Sequence, residues 1–190
     1  MNFSKEGILL GDIVNYSVKG IIAAMGRGAG VTKEVRPVFF HVAERDGIND
    51  FVRAVVKASA VEEGDIVVVP SKVVSLLEGR YVYGLTIENY TRCITDLAYA
   101  RKHLSVAGSD PLSDKDRIGM DKIDPKRKLG VRYPKDPNAA AYRIAKGIHK
   151  LTGFRVDVVI SDSDSGTKKG LSLINCPTVI ATPIGATKGL

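Results

Sequence analysis

The sequence has no tryptophan, only two cysteines and three histidines, and no long hydrophobic run. Cys93 and Cys176 stand far apart, so they form neither a disulfide framework nor a zinc-binding motif, and we expect reduced thiols in or near a core. The apolar runs at 21–25 and 66–69 fall well short of the roughly 18 residues of a membrane span. The N-terminal segment carries Glu6 and no long apolar stretch, unlike a signal peptide. We therefore expect a soluble, cytoplasmic protein without a membrane partner.

Length and composition fit a globular protein. The chain has 190 residues, of which 44% are hydrophobic and 26% charged. These values are close to the average for soluble domains and exclude disordered and collagen-like chains. A chain of this size buries enough surface to fold without disulfides or a structural metal. We predict a single domain over residues 1–190.

The positive charge is concentrated in one segment. The net charge is +7, and residues 115–150 contain eleven lysines and arginines against four aspartates. Such a segment attracts nucleotide phosphates, anionic metabolites or nucleic acid, or it forms a solvated face. Tyr133 and Tyr142 are its only aromatic residues, too few for an obvious base-stacking surface. This argues for a small anionic substrate and against nucleic acid as the partner.

Hydrophobic periodicity predicts helices alternating with short strands. Apolar residues recur at helical spacing in 49–60 and 91–104. Asp136-Pro137 starts a third helix that Gly153 ends, and its apolar stripe is predicted to consist of Ala140, Ala141, Ile144, Ala145, Ile148 and Leu151. Short β-branched runs predict strands at 66–69, 155–161 and 178–181. The polar segment 105–135 is predicted to be one long basic loop. The fold class is therefore mixed α/β (α+β), with short strands interleaved with helices.

Polar side chains follow the predicted strand 155–161. The chain continues with Asp162 and Ser163, and Lys168 and Lys169 come shortly after. Ligands of α/β sheets gather at the carboxyl ends of strands. Oxygen ligands suit Mg²⁺ or Mn²⁺, and the lysines suit the phosphates that these metals carry. The alternative is a solvated turn, because Ser, Asp and Gly also form turns.

A second candidate lies at the end of the strand 66–69. Ser71 and Lys72 offer a hydroxyl and an ammonium group there, which suit a phosphate. The glycine cluster at 26–30 lacks the Gly-Lys-Ser/Thr ending of a P-loop, so we read it as a flexible loop.

Two blocks of the chain resemble a known family. Residues 64–80 resemble the GDxVVVxSKxVSKxEGR signature of the coenzyme F-420:L-glutamate (γ-glutamyl) ligases. Residues 133–144 are similar to the family's LPxDPxxSARRI segment. Residues 156–163 are similar to its VxVIISDT strand, and residues 168–170 to its RRG. The blocks occur in the family's order and cover roughly half of the chain.

The resemblance implies a γ-glutamyl-ligase-like fold and a homodimer. It also implies a GTP- and metal-dependent ligase, which joins L-glutamate to a carboxylated, deazaflavin-type metabolite through an acyl phosphate. Mg²⁺ or Mn²⁺ is the implied metal and GTP the co-substrate. The resemblance assigns no catalytic residue. The nucleotide-binding residues that it implies are Ser71, Lys72, Lys168 and Lys169. The metal-binding residues that it implies are Asp162, Ser163 and Asp121.

The chain also departs from the family pattern. Leu76 stands where the signature has a lysine, and the family's C-terminal part is expected to be missing after the second block. These departures favour an alternative in which the protein has lost ligation. It would then act as a non-catalytic small-anion or nucleotide-binding module, or as a regulatory one.

Overall fold

The computed structural model describes residues 38, 42, 46–124, 126–165 and 179–188 of the chain. The predictions for the glycine cluster 26–30, Cys176, Lys168 and Lys169 lie outside these residues. The helices are α1 Ile48–Ala58, α2 Ser71–Leu77, α3 Ile87–Thr95, α4 Leu97–His103, α5 Asp114–Ile118 and α6 Pro137–Thr152. The strands are β1 Ile66–Pro70, β2 Tyr81–Tyr83, β3 Ser105–Val106, β4 Asp121–Asp124, β5 Leu129–Val131, β6 Asp157–Ser165 and β7 Val179–Ala186. The predicted mixed α/β class is confirmed.

The strands form two sheets. The first has the order β1-β6-β7, with β1 parallel to β6 from Ile66 opposite Asp157 to Pro70 opposite Ser161. Strand β6 then continues antiparallel to β7, with a register shift between Ile160 and Ser161. The shift lies where Pro183 faces Ser161, and a proline has no N–H for the ladder. The second sheet has the order β3-β2-β5-β4 and is antiparallel throughout.

Helix α6 has the clearest local cause. The Asp136 side chain accepts a hydrogen bond from the Ala139 N–H at 2.9 Å, Pro137 opens the helix, and Gly153 ends it in the left-handed conformation at φ 79°. The predicted apolar stripe is confirmed by the buried residues Ala140, Ala141, Ile144 and Ile148. Burial of each isoleucine stabilises the fold by about 1.5–3 kcal/mol. Leu151, also predicted in the stripe, is instead 52% exposed because it lies in the last turn, beyond the packed segment.

The buried residues form two hydrophobic clusters. The larger one lies among α1, β1, α2, α6 and β6, and includes Val52, Val69, Val74, Ile148 and Ile160. The smaller one lies among β2, α3 and α4 and includes Cys93, whose thiol pKa is raised by burial. No helix within the described ranges is long and apolar enough to cross a bilayer.

Four element predictions need correction. Helix α1 is capped by Gly47 and begins at Ile48, ahead of the predicted start at Asn49. The predicted helix 91–104 is two helices, because the Asp96 side chain accepts from the Tyr99 N–H at 2.9 Å and starts α4. The predicted strand 155–161 corresponds to β6, which begins at Asp157 and continues through Asp162 to Ser165. Residues 162–165 are therefore part of the strand, and the alternative of a solvated turn there is wrong.

The predicted long basic loop 105–135 is also wrong. The segment contains β3, α5, β4 and β5. Its short elements are held by partners elsewhere in the chain, since β5 pairs with β2 from Tyr81 opposite Val131 to Tyr83 opposite Leu129. Local sequence carries little signal for strands of three residues whose stability comes from such pairing.

Candidate functional site

The carboxyl edge of the first sheet brings together two predicted site residues. Strand β1 ends at Pro70, opposite Ser161, and α2 starts at the next residue. Because β6 continues past the end of β1, Asp162 extends beyond its neighbour at this edge. The Ser71 hydroxyl donates a hydrogen bond to Asp162 Oδ1 at 2.8 Å. Two side chains that are 91 residues apart in sequence are therefore in direct contact.

Local structure fixes both side chains. Pro70 is extended, with φ −62° and ψ 140°, and turns the chain directly into α2. Helix α2 is anchored by Val74, Leu76 and Leu77, which lie in the larger hydrophobic cluster. Asp162 is held by its ladder position opposite Thr182 of β7. The contact between Ser71 and Asp162 is thus set by the sheet and by the core beneath α2.

Tyr133 adds a third group that the sequence analysis did not single out. Burial raises the pKa of the Tyr133 phenol, and the negative charge of Asp162 raises it further. Tyr133 therefore interacts electrostatically with the Asp162 carboxylate. Its backbone oxygen accepts from Arg80 Nε at 2.6 Å, and Lys115 Nζ lies 4.8 Å from its ring centroid. A protonated phenol can donate a hydrogen bond to an anionic oxygen.

Gly119 makes room for the Tyr133 ring. A Cβ atom at position 119 would lie 2.2 Å from Tyr133 Cδ2, far inside any allowed contact. Gly119 is followed by Met120 and Asp121, the first residue of β4, whose Cα lies opposite Val131 of β5. The segment that carries Asp121 is thus tied to the segment that carries Tyr133.

The remaining predicted site residues are described less fully. Lys72 is the second residue of α2 and is half-buried. The side chains of Asp121 and Ser163 lie outside the described part of the structure, as do Lys168 and Lys169 altogether. Leu76 is 4% exposed and belongs to the core, so the position of the signature lysine is occupied by a core side chain.

The donor chemistry of this edge fits a hard divalent cation. A carboxylate and a hydroxyl are oxygen ligands of the kind that Mg²⁺ and Mn²⁺ bind. Asp162 would be the charged ligand, with Ser71 beside it. Among the described side chains, however, no three His, Cys, Asp or Glu residues form a group that could hold a metal ion. The metal site remains a prediction that needs Asp121 or Ser163, or the oxygens of a bound phosphate, to complete it.

No protein-family model matches the sequence.

Proposed function

We propose that this protein is a GTP- and divalent-metal-dependent γ-glutamyl ligase-like enzyme, which forms an amide between L-glutamate and a carboxylated, deazaflavin-type metabolite. The hydrogen bond between Ser71 and Asp162 carries the proposal. Each residue comes from a different segment with resemblance to the ligase family, and the fold joins them at one sheet edge. This edge is where ligands of α/β sheets bind.

The reaction proposed from the resemblance has two steps. The γ-phosphoryl group of GTP passes to the substrate carboxylate, which gives an acyl phosphate and GDP. The glutamate amine then attacks the acyl carbon and displaces phosphate, which leaves an amide. A bound Mg²⁺ or Mn²⁺ would neutralise phosphate charge during the transfer. Alignment of the reacting groups and exclusion of water supply most of the remaining catalysis in phosphoryl transfer.

The residues of the edge suit these demands. The Asp162 carboxylate would hold the cation, and the Ser71 hydroxyl orients that carboxylate from the start of α2. The half-buried Tyr133 phenol is protonated at neutral pH, as phenols ordinarily are, and burial raises its pKa further. It is therefore available as a hydrogen-bond donor to a phosphate or carboxylate oxygen. We further propose, from the resemblance alone, that the enzyme is a cytoplasmic homodimer.

One observation favours the second candidate function, a non-catalytic nucleotide- or anion-binding module. Leu76 lies in the core where the family signature has a lysine. A cation that would help to hold the nucleotide is therefore missing from α2. Loss of one phosphate-binding cation weakens nucleotide affinity or turnover while the carboxylate and hydroxyl of the edge remain.

The first test is a calorimetric titration of the protein with GTP in the presence of Mn²⁺, with ATP as the nucleotide control. We expect metal-dependent GTP binding that Asp162→Asn weakens at least about tenfold, since loss of a metal ligand or its support costs that much or more. The asparagine keeps an acceptor for the Ser71 hydroxyl. Asp157→Asn removes a carboxylate from the start of the same strand and is expected to bind GTP as the wild type does. Equal binding by all three proteins would refute the site.

Turnover separates the two candidate functions. Phosphate release from GTP is measured with L-glutamate and a panel of carboxylated acceptors, deazaflavin compounds included. Release that requires both glutamate and an acceptor indicates a ligase. GTP binding without such release at any glutamate concentration indicates the binding module.

A further inference from the structure

A basic cleft lies at the opposite end of α2 from Ser71. It has a volume of about 1010 Å³ and is lined by Arg80, Arg132, Lys135, Arg143, Lys146 and Lys150. Leu77 and Gly79, at the end of α2, also line it. The seven residues of α2 span about 10 Å, so the basic cleft is separate from the edge that holds Asp162. Its volume is at the upper end of the range of small-molecule sites, about 300–1,000 Å³.

Buried positive charge lies at one side of the basic cleft. Arg80 is 9% exposed and Arg132 is 3% exposed, and both face the same carboxylate, that of Asp116. Arg80 Nη2 is 2.5 Å from Asp116 Oδ1, and Arg132 Nη1 is 3.8 Å from Asp116 Oδ2. Two buried guanidinium groups thus share one buried carboxylate. Burial and the Arg80 charge lower the pKa of Arg132, while Asp116 and the more exposed Asp110 oppose that shift. A net positive charge away from water is costly unless an anion compensates it.

Arg132 also has an unused donor. Its Nη1 donates to the Asp110 backbone oxygen at 2.9 Å, and its Nη2 donates to the Ala107 backbone oxygen at 3.1 Å. Its buried Nε has no hydrogen-bond partner in the described part of the chain. A buried N–H without a partner carries a free-energy cost, so the protein does not fully satisfy the Arg132 guanidinium. An anion in the basic cleft would compensate its charge.

Helix α6 supplies three positive side chains to the basic cleft, of which one is paired. Arg143, Lys146 and Lys150 line the basic cleft from one side of the helix. Arg143 Nη2 is paired with Glu78 Oε1 at 2.6 Å. The side chains of Lys146 and Lys150 form no ion pair or hydrogen bond with any described residue. They are four positions apart, a spacing at which like charges destabilise a helix.

The carboxylates of the basic cleft are already engaged. Glu78 accepts from Arg143 and from the Lys135 N–H, and Asp110 is paired with Lys135 at 3.1 Å. Asp50 accepts from the Gly47 N–H, and Asp136 caps α6. The charge that remains for a ligand is positive.

From this arrangement we propose that the basic cleft binds a small-molecule polyanion with at least two phosphate or carboxylate groups. One group would lie near Arg132 and the next along the Lys146 and Lys150 face of α6. No aromatic side chain is among the described lining residues, so there is no surface for base stacking. A small polyanion therefore fits better than single-stranded nucleic acid. The site does not depend on the nucleotide edge or on a metal.

The test is a calorimetric titration with pyrophosphate and, separately, with citrate, in EDTA and about 150 mM salt so that surface charge is screened. The double variant Lys146→Ala/Lys150→Ala is expected to fold, because both positions are exposed and alanine has the highest helix propensity. We expect it to weaken binding about tenfold, since two charge contacts are lost. The matched control is Lys57→Ala/Lys102→Ala, which removes the same charge from exposed positions on α1 and α4. It should bind as the wild type does. A second variant, Ser109→Glu, adds a negative charge at a lining position and should also weaken binding.

The outcomes distinguish the alternatives. Tighter binding of pyrophosphate or of citrate identifies the phosphate or the carboxylate class, and either result supports the proposal if the lysine pair is required. Equal binding by the lysine double variant and the wild type would overturn it, as would no binding of either anion. A single-stranded oligonucleotide could instead bind more tightly than either anion, with a steep salt dependence and a need for the same lysines. That result would overturn the proposal and show that the basic cleft binds nucleic acid. Asp162→Asn should leave pyrophosphate binding unchanged, so this test and that of the GTP site fail independently.

Discussion

Loss of the negative charge of Asp116 should lower the free energy of unfolding substantially. Its carboxylate is 4% exposed and accepts from Arg80, from the Ser113 N–H at 3.1 Å and from the Ser113 hydroxyl at 2.8 Å. Arg132 lies 3.8 Å away on the other oxygen. Asp116→Asn keeps the size and one acceptor but removes the negative charge. Two buried guanidinium groups would then lack their shared counter-charge.

The expected cost is large for a single isosteric change. Removing one partner of a buried ion pair destabilises a protein by about 3–5 kcal/mol. We expect the lower end, about 3 kcal/mol, because asparagine can still accept from Ser113. For a chain of this size, each kcal/mol lowers Tm by about 2–4 °C, so the expected drop is roughly 6–12 °C. Urea unfolding followed by circular dichroism measures the free energy of unfolding, and a thermal melt gives Tm.

The control lies two residues away. Asp114 pairs with Arg117 at 3.2 Å but is 72% exposed, so Asp114→Asn should change the free energy of unfolding by less than about 0.5 kcal/mol. A loss below about 1 kcal/mol for Asp116→Asn, with the urea slope unchanged, would show that Arg80 and Arg132 do not depend on this carboxylate. The account of excess positive charge beside the basic cleft would then be wrong.

Three further changes test other parts of the structure. Gly119→Ala should cost about 1–3 kcal/mol and lower Tm, because the new Cβ would overlap the Tyr133 ring; an unchanged melt would contradict that contact. Leu76→Lys introduces the residue that the resembled signature has at this position. It should destabilise the fold by about 3–5 kcal/mol without raising GTP affinity, since it buries an unpaired charge; tighter GTP binding in the titration would refute this placement. The Lys188 ammonium holds the pKa of Asp157 below its ordinary value, so Asp157 contributes stability above about pH 4 that is lost as pH falls through its folded pKa. Urea unfolding of Asp157→Asn should show a smaller acid-induced loss than the wild type, and parallel pH curves would exclude this contribution.

The sequence predicted those elements whose causes are local. The start and end of α6 follow from Asp136, Pro137 and Gly153, and its buried face follows from residue spacing. The break between α3 and α4 was missed because the apolar pattern continues across Asp96, whose capping role shows only in its hydrogen bond to Tyr99. The strands within 105–135 were missed because their stability depends on pairing with β2, which is distant in sequence.

The candidate site was predictable to the same extent. Ser71 and Asp162 each follow a short apolar run, and residues at the ends of parallel strands share one edge of a sheet. The role of Tyr133 was not predictable, because its position depends on the room left by Gly119. The basic cleft was predictable in part. The segment 115–150 was expected to attract anions, and five of the six basic lining residues lie in it. The contribution of Arg80 was not predictable, because Arg80 is far from that segment in sequence.

A double-mutant cycle in nucleotide affinity shows whether Ser71 and Asp162 act together in one nucleotide site. The affinity for GTP with Mn²⁺ is measured for the wild type, Ser71→Ala, Asp162→Asn and the double variant. If the two residues form one site, the wild type binds and each single variant binds more weakly. The double variant should then lose less than the sum of the two losses, with a coupling of at least about 0.5 kcal/mol. No binding by the wild type, or affinities that neither single change alters, would contradict the claim that this sheet edge binds the nucleotide.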